Sequence, residues 1–165
     1  MRIDTLRFGE IEIADDAVLT FPAGLLGFPE ARRFCLLPYA DGHSVHWLQS
    51  VNDAALAFLS VDPHEFFPDY EIELSEADAL PLRLGRAEDA AVLALLTVSR
   101  DRRAITANLV GPIVINTRTR SARQVVIDDP RYTPKHLIAS LDGGPREGGP
   151  DACADAKDGR SDTDR

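Results

Sequence analysis

Short apolar runs, each closed after a few residues by glycine, proline or a polar turn pair, recur from Ile3 to Asp128 and leave the chain little choice but short strands. Ile3–Phe8 and Glu10–Ile13 alternate apolar with polar residues around Gly9. Val18–Phe21 is β-prone and is stopped by Pro22 and Gly24, and Phe34–Leu37 is closed by Pro38. Val45–Val51 and Ala57–Val61 are separated by the turn signal Asn52-Asp53, and Tyr70–Leu74 alternates cleanly. Pro112–Asn116 and Arg123–Asp128 flank the polar stretch Thr117–Ala122, the pattern of a hairpin with a loop of about five residues. Ser75 before Glu76 and Asp78 has the form of a helix N-cap with an acidic first turn, and Pro81 limits that helix to one or two turns. Ala87–Ser99 reads two ways. Its alanines and leucines favour a helix, while its unbroken apolar character and β-branched end suit a strand buried on both faces. The sum predicts an all-β, antiparallel barrel-like fold or sandwich.

The pattern stops near Leu141. Asp142–Arg165 holds five of the eleven glycines and no Leu, Ile, Val, Phe, Tyr or Trp. A segment of this kind buries too little apolar surface to offset its ordering entropy, so a folded domain over residues 1–141 and a disordered, acidic tail over 142–165 are expected. The tail has four basic and seven acidic residues, which leaves −6 of the total charge of −9 on the body. So acidic a body is a poor general binder of phosphate backbones and suits basic protein partners. No apolar run is long enough to span a bilayer, the N-terminus lacks a secretory pattern, and two cysteines exclude a disulfide framework, so a cytoplasmic protein is expected.

The residues that could carry chemistry do not assemble into an active site. His43 and His46 are three apart, and on a strand that spacing points them to opposite faces; Asp62 and His64 lie near another strand end, and no cysteine completes a zinc set. Cys35, inside an apolar run, is expected to be buried and inert, and Cys153, in the tail, exposed but unactivated. Nucleophile elbows and phosphate-binding glycine motifs are both missing. Arg100, Arg102 and Arg103 share one loop, and Arg118, Arg120 and Arg123 crowd the expected hairpin tip, where they protect an edge or contact a protein. The feature hardest to explain by packing alone is Asp62–Tyr70, which sets Phe66 and Phe67 between Pro63 and Pro68, with Tyr70 two residues beyond. On a proline-stiffened loop these aromatics serve either as interface anchors or as a plug at the barrel end.

Taken together, FGEIEI (Phe8–Ile13), FPAGLLGF (Phe21–Phe28), WLQSVNDAALAF (Trp47–Phe58), VDPHEFFPDYEIEL (Val61–Leu74) and TANLVGPIVINTRTRSARQVVIDD (Thr106–Asp129) resemble the flagellar assembly factor FliW family. The resemblance covers about Met1 to Leu137 and rests on the order and spacing of these segments. It implies an all-β, barrel-like fold with one or two short helices, in which Ala87–Ser99 is a strand. It also implies a cytoplasmic bacterial protein with no catalytic activity and no cofactor or metal. Such a protein binds newly made flagellin as a chaperone, and binds and antagonises the translational repressor CsrA, so that flagellin translation follows flagellin export.

Direct contact with nucleic acid or membrane is not expected, and the free protein is expected to be a monomer. The residues expected to meet partners are Phe66, Phe67 and Tyr70 as apolar anchors, Gln49 and Asn116 as strand amides, and Arg118 and Arg120 as cations that orient an acidic group. Two features depart from the family pattern: the basic Arg100–Arg103 loop and the extension past Leu141. The rival expectation is a small β-barrel enzyme or ligand carrier with a pocket around Trp47–Tyr70 and His46 or His64 as acid–base. A single-strand nucleic-acid binder using the aromatics is disfavoured by the charge.

Overall fold

Strand β7, Ala90–Ser99, organises the molecule, and it resolves the ambiguity at 87–99 in favour of a strand preceded by a short 3-10 turn, Ala87–Asp89. In the computed structural model, which describes residues 1–140, its odd residues Ala91, Leu93 and Leu95 pack into one apolar cluster. Its even residues Val92, Ala94 and Leu96 pack into another on the opposite face. A strand covered on both faces has no polar face, which is why its sequence shows no alternation.

Among the described residues the chain forms eleven strands and one α-helix. The strands are β1 (Arg2–Thr5), β2 (Gly9–Glu12), β3 (Leu19–Thr20), β4 (Arg33–Pro38), β5 (His46–Ser50), β6 (Ala57–Val61), β7, β8 (Ala104–Ala107), β9 (Ile113–Asn116), β10 (Ala122–Gln124) and β11 (His136–Ser140); the helix α1 spans Glu76–Leu82. β1 and β2 make a separate hairpin. The other nine strands form one antiparallel sheet in the order β10-β9-β7-β6-β5-β4-β3, with β8 and β11 branching from the far half of β7. β9 pairs with Ala90–Leu93 and β8 with Leu96–Ser99, so one long strand serves two shorter ones end to end.

The sheet curls until its two ends meet. Thr20 on β3 bridges to Ser121, the residue before β10, and the Thr20 N–H donates to the Arg120 carbonyl at 2.9 Å. The interior is filled: Leu19, Phe21, Phe34, Leu48 and Ile113 are all at most 1% exposed. Phe21 and Phe34 meet edge to face, with ring centroids 5.2 Å apart. The outer face of the sheet carries three further apolar clusters. Ile3 of the β1–β2 hairpin, with Ile13 and Val18 from the link that follows it, covers Cys35 on β4, and burial pushes the Cys35 thiol above its ordinary range, as its apolar setting predicts. The 62–75 segment, Leu109 and Ile138 cover β6, β7 and β8, and α1 covers β9 through Leu82, Val114 and Val125.

Helix α1 starts where the sequence places it. Ser75 Oγ accepts the Asp78 N–H, and Pro81 falls inside the second and last turn. The sequence reading needs correction in three places. Tyr70–Leu74 keeps its alternating burial, with Ile72 and Leu74 inward and Glu71 and Glu73 outward, but it has no strand partner among the described residues. The pattern reports which side faces the core, and pairing is a separate matter. The second hairpin strand ends at Gln124 rather than Asp128. The residues of β8 and β11 were not singled out at all, because Ala104–Ala107 and His136–Ser140 are too short and too mixed to stand out. The tail over 142–165 with Cys153 lies outside the described residues. No helix among the described residues is long and apolar enough to cross a membrane.

Candidate functional site

The loop after β6 is built as a rigid step. Asp62 caps a 3-10 turn, Pro63–Glu65, its carboxylate accepting the His64 N–H at 2.9 Å and lying 2.8 Å from His64 Nδ1. Pro63 is buried, and its carbonyl accepts the N–H groups of both Phe66 and Phe67. This fold-back sends the three aromatics in different directions. Phe66 points outward and is 36% exposed. Phe67 turns in, its ring edge-on to His136 at 4.7 Å. Tyr70 is 3% exposed and donates its hydroxyl to the Leu109 carbonyl at 2.8 Å, and burial raises its phenol well above the ordinary value. Phe67 and Tyr70 seal the cluster on the outer face of the sheet rather than the end of the barrel, and Phe66 remains at the surface.

The two strand amides lie inside. Gln49 is fully buried, and its Nε2 faces the carbonyls of Ser50, Asp53, Ala54 and Leu56, so it pins the β5–β6 turn. Asn116 is 2% exposed and uses both ends. Its Nδ2 donates to the carbonyls of Leu82 at 2.9 Å and Arg83 at 3.2 Å, the end of α1. Its Oδ1 accepts the N–H groups of Arg118 and Thr119 and shapes the hairpin. Arg118 is exposed, 3.7 Å from Asp89. Arg120 is exposed and adopts φ 60°, and its carbonyl is the one that closes the barrel. Of the seven residues singled out by sequence, Phe66, Arg118 and Arg120 stand on the surface of the free chain, while Gln49, Asn116 and Tyr70 are built into its interior. Tyr70 and the 62–70 loop lie on the outer face over β6–β8, while Arg118 and Arg120 sit at the β9–β10 hairpin, so these groups do not converge on one cavity.

Trp47, the first residue of the rival stretch, faces away from the barrel interior and lies under the guanidinium of Arg7, 3.7 Å from the ring centroid. His46 Nδ1 is 2.8 Å from the Ser44 carbonyl. A groove of about 1170 Å³ lies between the extended 70–75 segment, the 84–87 turn and the 126–129 segment, and it takes His64 and Tyr70, but neither Trp47 nor His46, from the rival stretch. Sequence reasoning did not join these stretches into a groove; the signal present was the pair of charges Glu71 and Glu73 in the alternating run Tyr70–Leu74.

His136 beside Phe67 has a consequence for stability. Its ring is half-buried, its Nδ1 has no partner among the described residues, and burial lowers its basicity below the ordinary value of 6.5. The unfolded chain therefore takes up a proton that the folded chain refuses as pH falls below that value. The stability is complete above 6.5 and declines on acidification towards the lowered folded value. Thermal unfolding across this window is expected to show a falling midpoint, and His136→Gln to flatten the dependence.

Comparison with known proteins places this geometry. The family described as FliW protein matches residues 2–138. A relative from Natranaerobius thermophilus named flagellar assembly factor FliW is 41% identical over 139 residues, covering 84% of this chain and 92% of the relative. The Bacillus subtilis protein of the same name is 37% identical, covering 84% and 96%. A crystal structure of the flagellar assembly factor FliW superimposes with a TM-score of 0.76 at 37% identity, covering 83% of this chain and 96% of the other.

Proposed function

The chain belongs to the FliW family of flagellar assembly factors, and on that premise we propose that it acts by gripping two polypeptides rather than by catalysis. One is flagellin, bound as by a chaperone before export; the other is the repressor CsrA, which it antagonises. While flagellin is exported, the free factor holds the repressor off the flagellin message. When flagellin accumulates it occupies the factor, and the repressor is released to act. In this reading the protein works in the cytoplasm, is a monomer when free, and touches neither nucleic acid nor membrane directly. Phe66 would serve as an exposed apolar anchor, and Arg118 and Arg120 would orient an acidic group on a partner.

The observation that carries the reading is the family match across nearly all of the described residues, 2–138. The charge supports it. A body of about −6 suits a basic, RNA-binding partner. Docked beside that partner's RNA surface, it would repel incoming phosphates within a Debye length, about 8 Å at physiological salt. The test uses the purified chain, the repressor, flagellin and labelled flagellin message. The chain is expected to bind both proteins and to lower RNA binding by the repressor, with flagellin reversing the effect. At equal occupancy of the repressor, raising salt is expected to weaken the inhibition. Inhibition indifferent to salt would remove the electrostatic part, and failure to bind either protein would remove the proposal.

A further inference from the structure

The groove beside α1 has the features of a half-built sheet. The segment Tyr70–Leu74 has the side-chain alternation of a strand, with Ile72 and Leu74 packed inward against Leu82, Val114 and Val125. It is held at both ends: Tyr70 is tied to Leu109, the Glu71 N–H donates to the Tyr132 hydroxyl at 3.0 Å, and Ser75 caps the helix. Between these ties the backbone N–H groups of Ile72, Glu73 and Leu74 meet no hydrogen-bond partner among the described residues. Across the groove, Val125 and Ile127 donate to the Pro112 and Val110 carbonyls, whereas Val126 and Asp128 make no backbone bond as donors. The 72–74 wall is extended, anchored and unpaired, and the 125–128 wall is paired through alternate residues only; an unpaired edge of this kind is the state of a site that accepts an added strand.

Charge selects the occupant. Glu71, Glu73, Asp78, Asp128 and Asp129 line the groove. The nearby cations are already paired: Arg123 with Asp78 at 2.9 Å, Arg131 with Asp129 at 2.8 Å and Arg86 with Glu88 at 3.1 Å. Arg131 holds the Asp129 carboxyl below its usual range, and Ser75, followed by Arg123, does the same for Asp78. Glu71, Glu73 and Asp128 make no salt bridge among the described residues, so an excess of negative charge faces the groove over an apolar floor that includes Val92 and Val114. The chain's own segment 142–165 is a poor match, since it is acidic and lacks large apolar residues.

We propose that this groove binds an extended, basic segment of a partner protein, in which backbone pairs with Ile72–Leu74 and alternating cationic side chains meet Glu71, Glu73 and Asp128. The site does not depend on which protein supplies the segment, so it stands apart from the flagellin and repressor reading and is tested without either. The probe is a short, capped peptide alternating lysine and valine, added to the full chain and followed by fluorescence anisotropy and by hydrogen exchange. Saturating peptide is expected to slow exchange at residues 72–74. The double variant Glu71→Lys/Glu73→Lys changes two exposed side chains, so its thermal midpoint is expected to match the parent while its affinity falls about tenfold or more. A glutamate–valine peptide and a backbone N-methylated lysine–valine peptide are both expected not to bind. Equal binding by either control, an unchanged affinity of the charge-reversed variant, or unprotected 72–74 amides at saturation would overturn the proposal. So would 72–74 amides already protected in the free chain: at every concentration this would mean its own chain fills the groove, and on concentrating the protein it would mean a second copy does.

Discussion

Replacing Asn116 with alanine is expected to destabilise the fold by about 3 kcal/mol, read as a lower urea midpoint at an unchanged slope. The side chain makes four hydrogen bonds to main-chain groups of two elements, the end of α1 and the β9–β10 hairpin. Alanine leaves the buried Leu82 carbonyl without a donor and frees the N–H groups that shape the loop. The loop also supplies the Arg120 carbonyl that bonds Thr20, so its loosening reaches the seam where the barrel closes. Asn116→Asp separates the two halves of the effect. It keeps the acceptor toward Arg118 and Thr119 but sets a buried carboxylate against the Leu82 and Arg83 carbonyls. At neutral pH it is expected to cost at least as much as alanine. If aspartate were tolerated, the tie to the helix would contribute little, and the turn alone would explain the residue.

Much of the fold is legible because the punctuation of the chain is local. β4, β5, β6 and β9 fall inside or within a residue of their apolar runs, since each run is bounded by a Pro, Gly or polar pair that physically ends a strand. The five-residue loop 117–121 is visible as a polar break. What is not legible is set by distant parts of the chain. The residues of β7 alone read as helix or strand, because what decides between them is the cover on both faces, the 62–75 segment on one side and the filled barrel on the other. The Tyr70–Leu74 alternation identifies an inner and an outer side but cannot say that no neighbour pairs with it.

The same division holds for the site. Sequence shows that Phe66, Phe67 and Tyr70 are unusual, but their different fates follow from the fold-back of both amides onto the Pro63 carbonyl. Gln49 and Asn116 look like surface amides on strands because the residue pattern does not show that the β5–β6 turn folds its carbonyls back over Gln49, or that the distant end of α1 meets Asn116. Arg120 looks like a charge, yet the part of it that matters to the fold is its left-handed backbone and its carbonyl. The groove, with walls from three separate stretches, has no local signature beyond the charges of Glu71 and Glu73.

The largest loss of stability from a single methylene-sized change is expected at Gly24, inside the segment Phe21–Phe28. Its φ is +69°, and its N–H donates to the Phe21 carbonyl at 2.9 Å to close a tight turn. An added Cβ would lie 2.5 Å from the Pro29 carbonyl oxygen and 2.6 Å from that of Phe28. Both are main-chain atoms in a segment where Leu25 and Phe28 exchange two backbone hydrogen bonds, so neither can swing aside as a side-chain tip could. Gly27, three residues on, supplies the control: its φ is +84°, but a Cβ there meets nothing within 4 Å. Gly27→Ala therefore carries only the strain of a left-handed L-residue, about 1 kcal/mol. Gly24→Ala carries that strain plus the forced opening of a turn that seats Phe21 and Leu25 in the barrel interior, at 0% and 3% exposure, and is expected to exceed about 3 kcal/mol. The comparison is made on the two variants side by side by chemical unfolding. Near-equal losses would mean that the turn yields without disturbing the core beneath it, and that the clash at Gly24 is relieved by a shift of the 28–29 backbone alone.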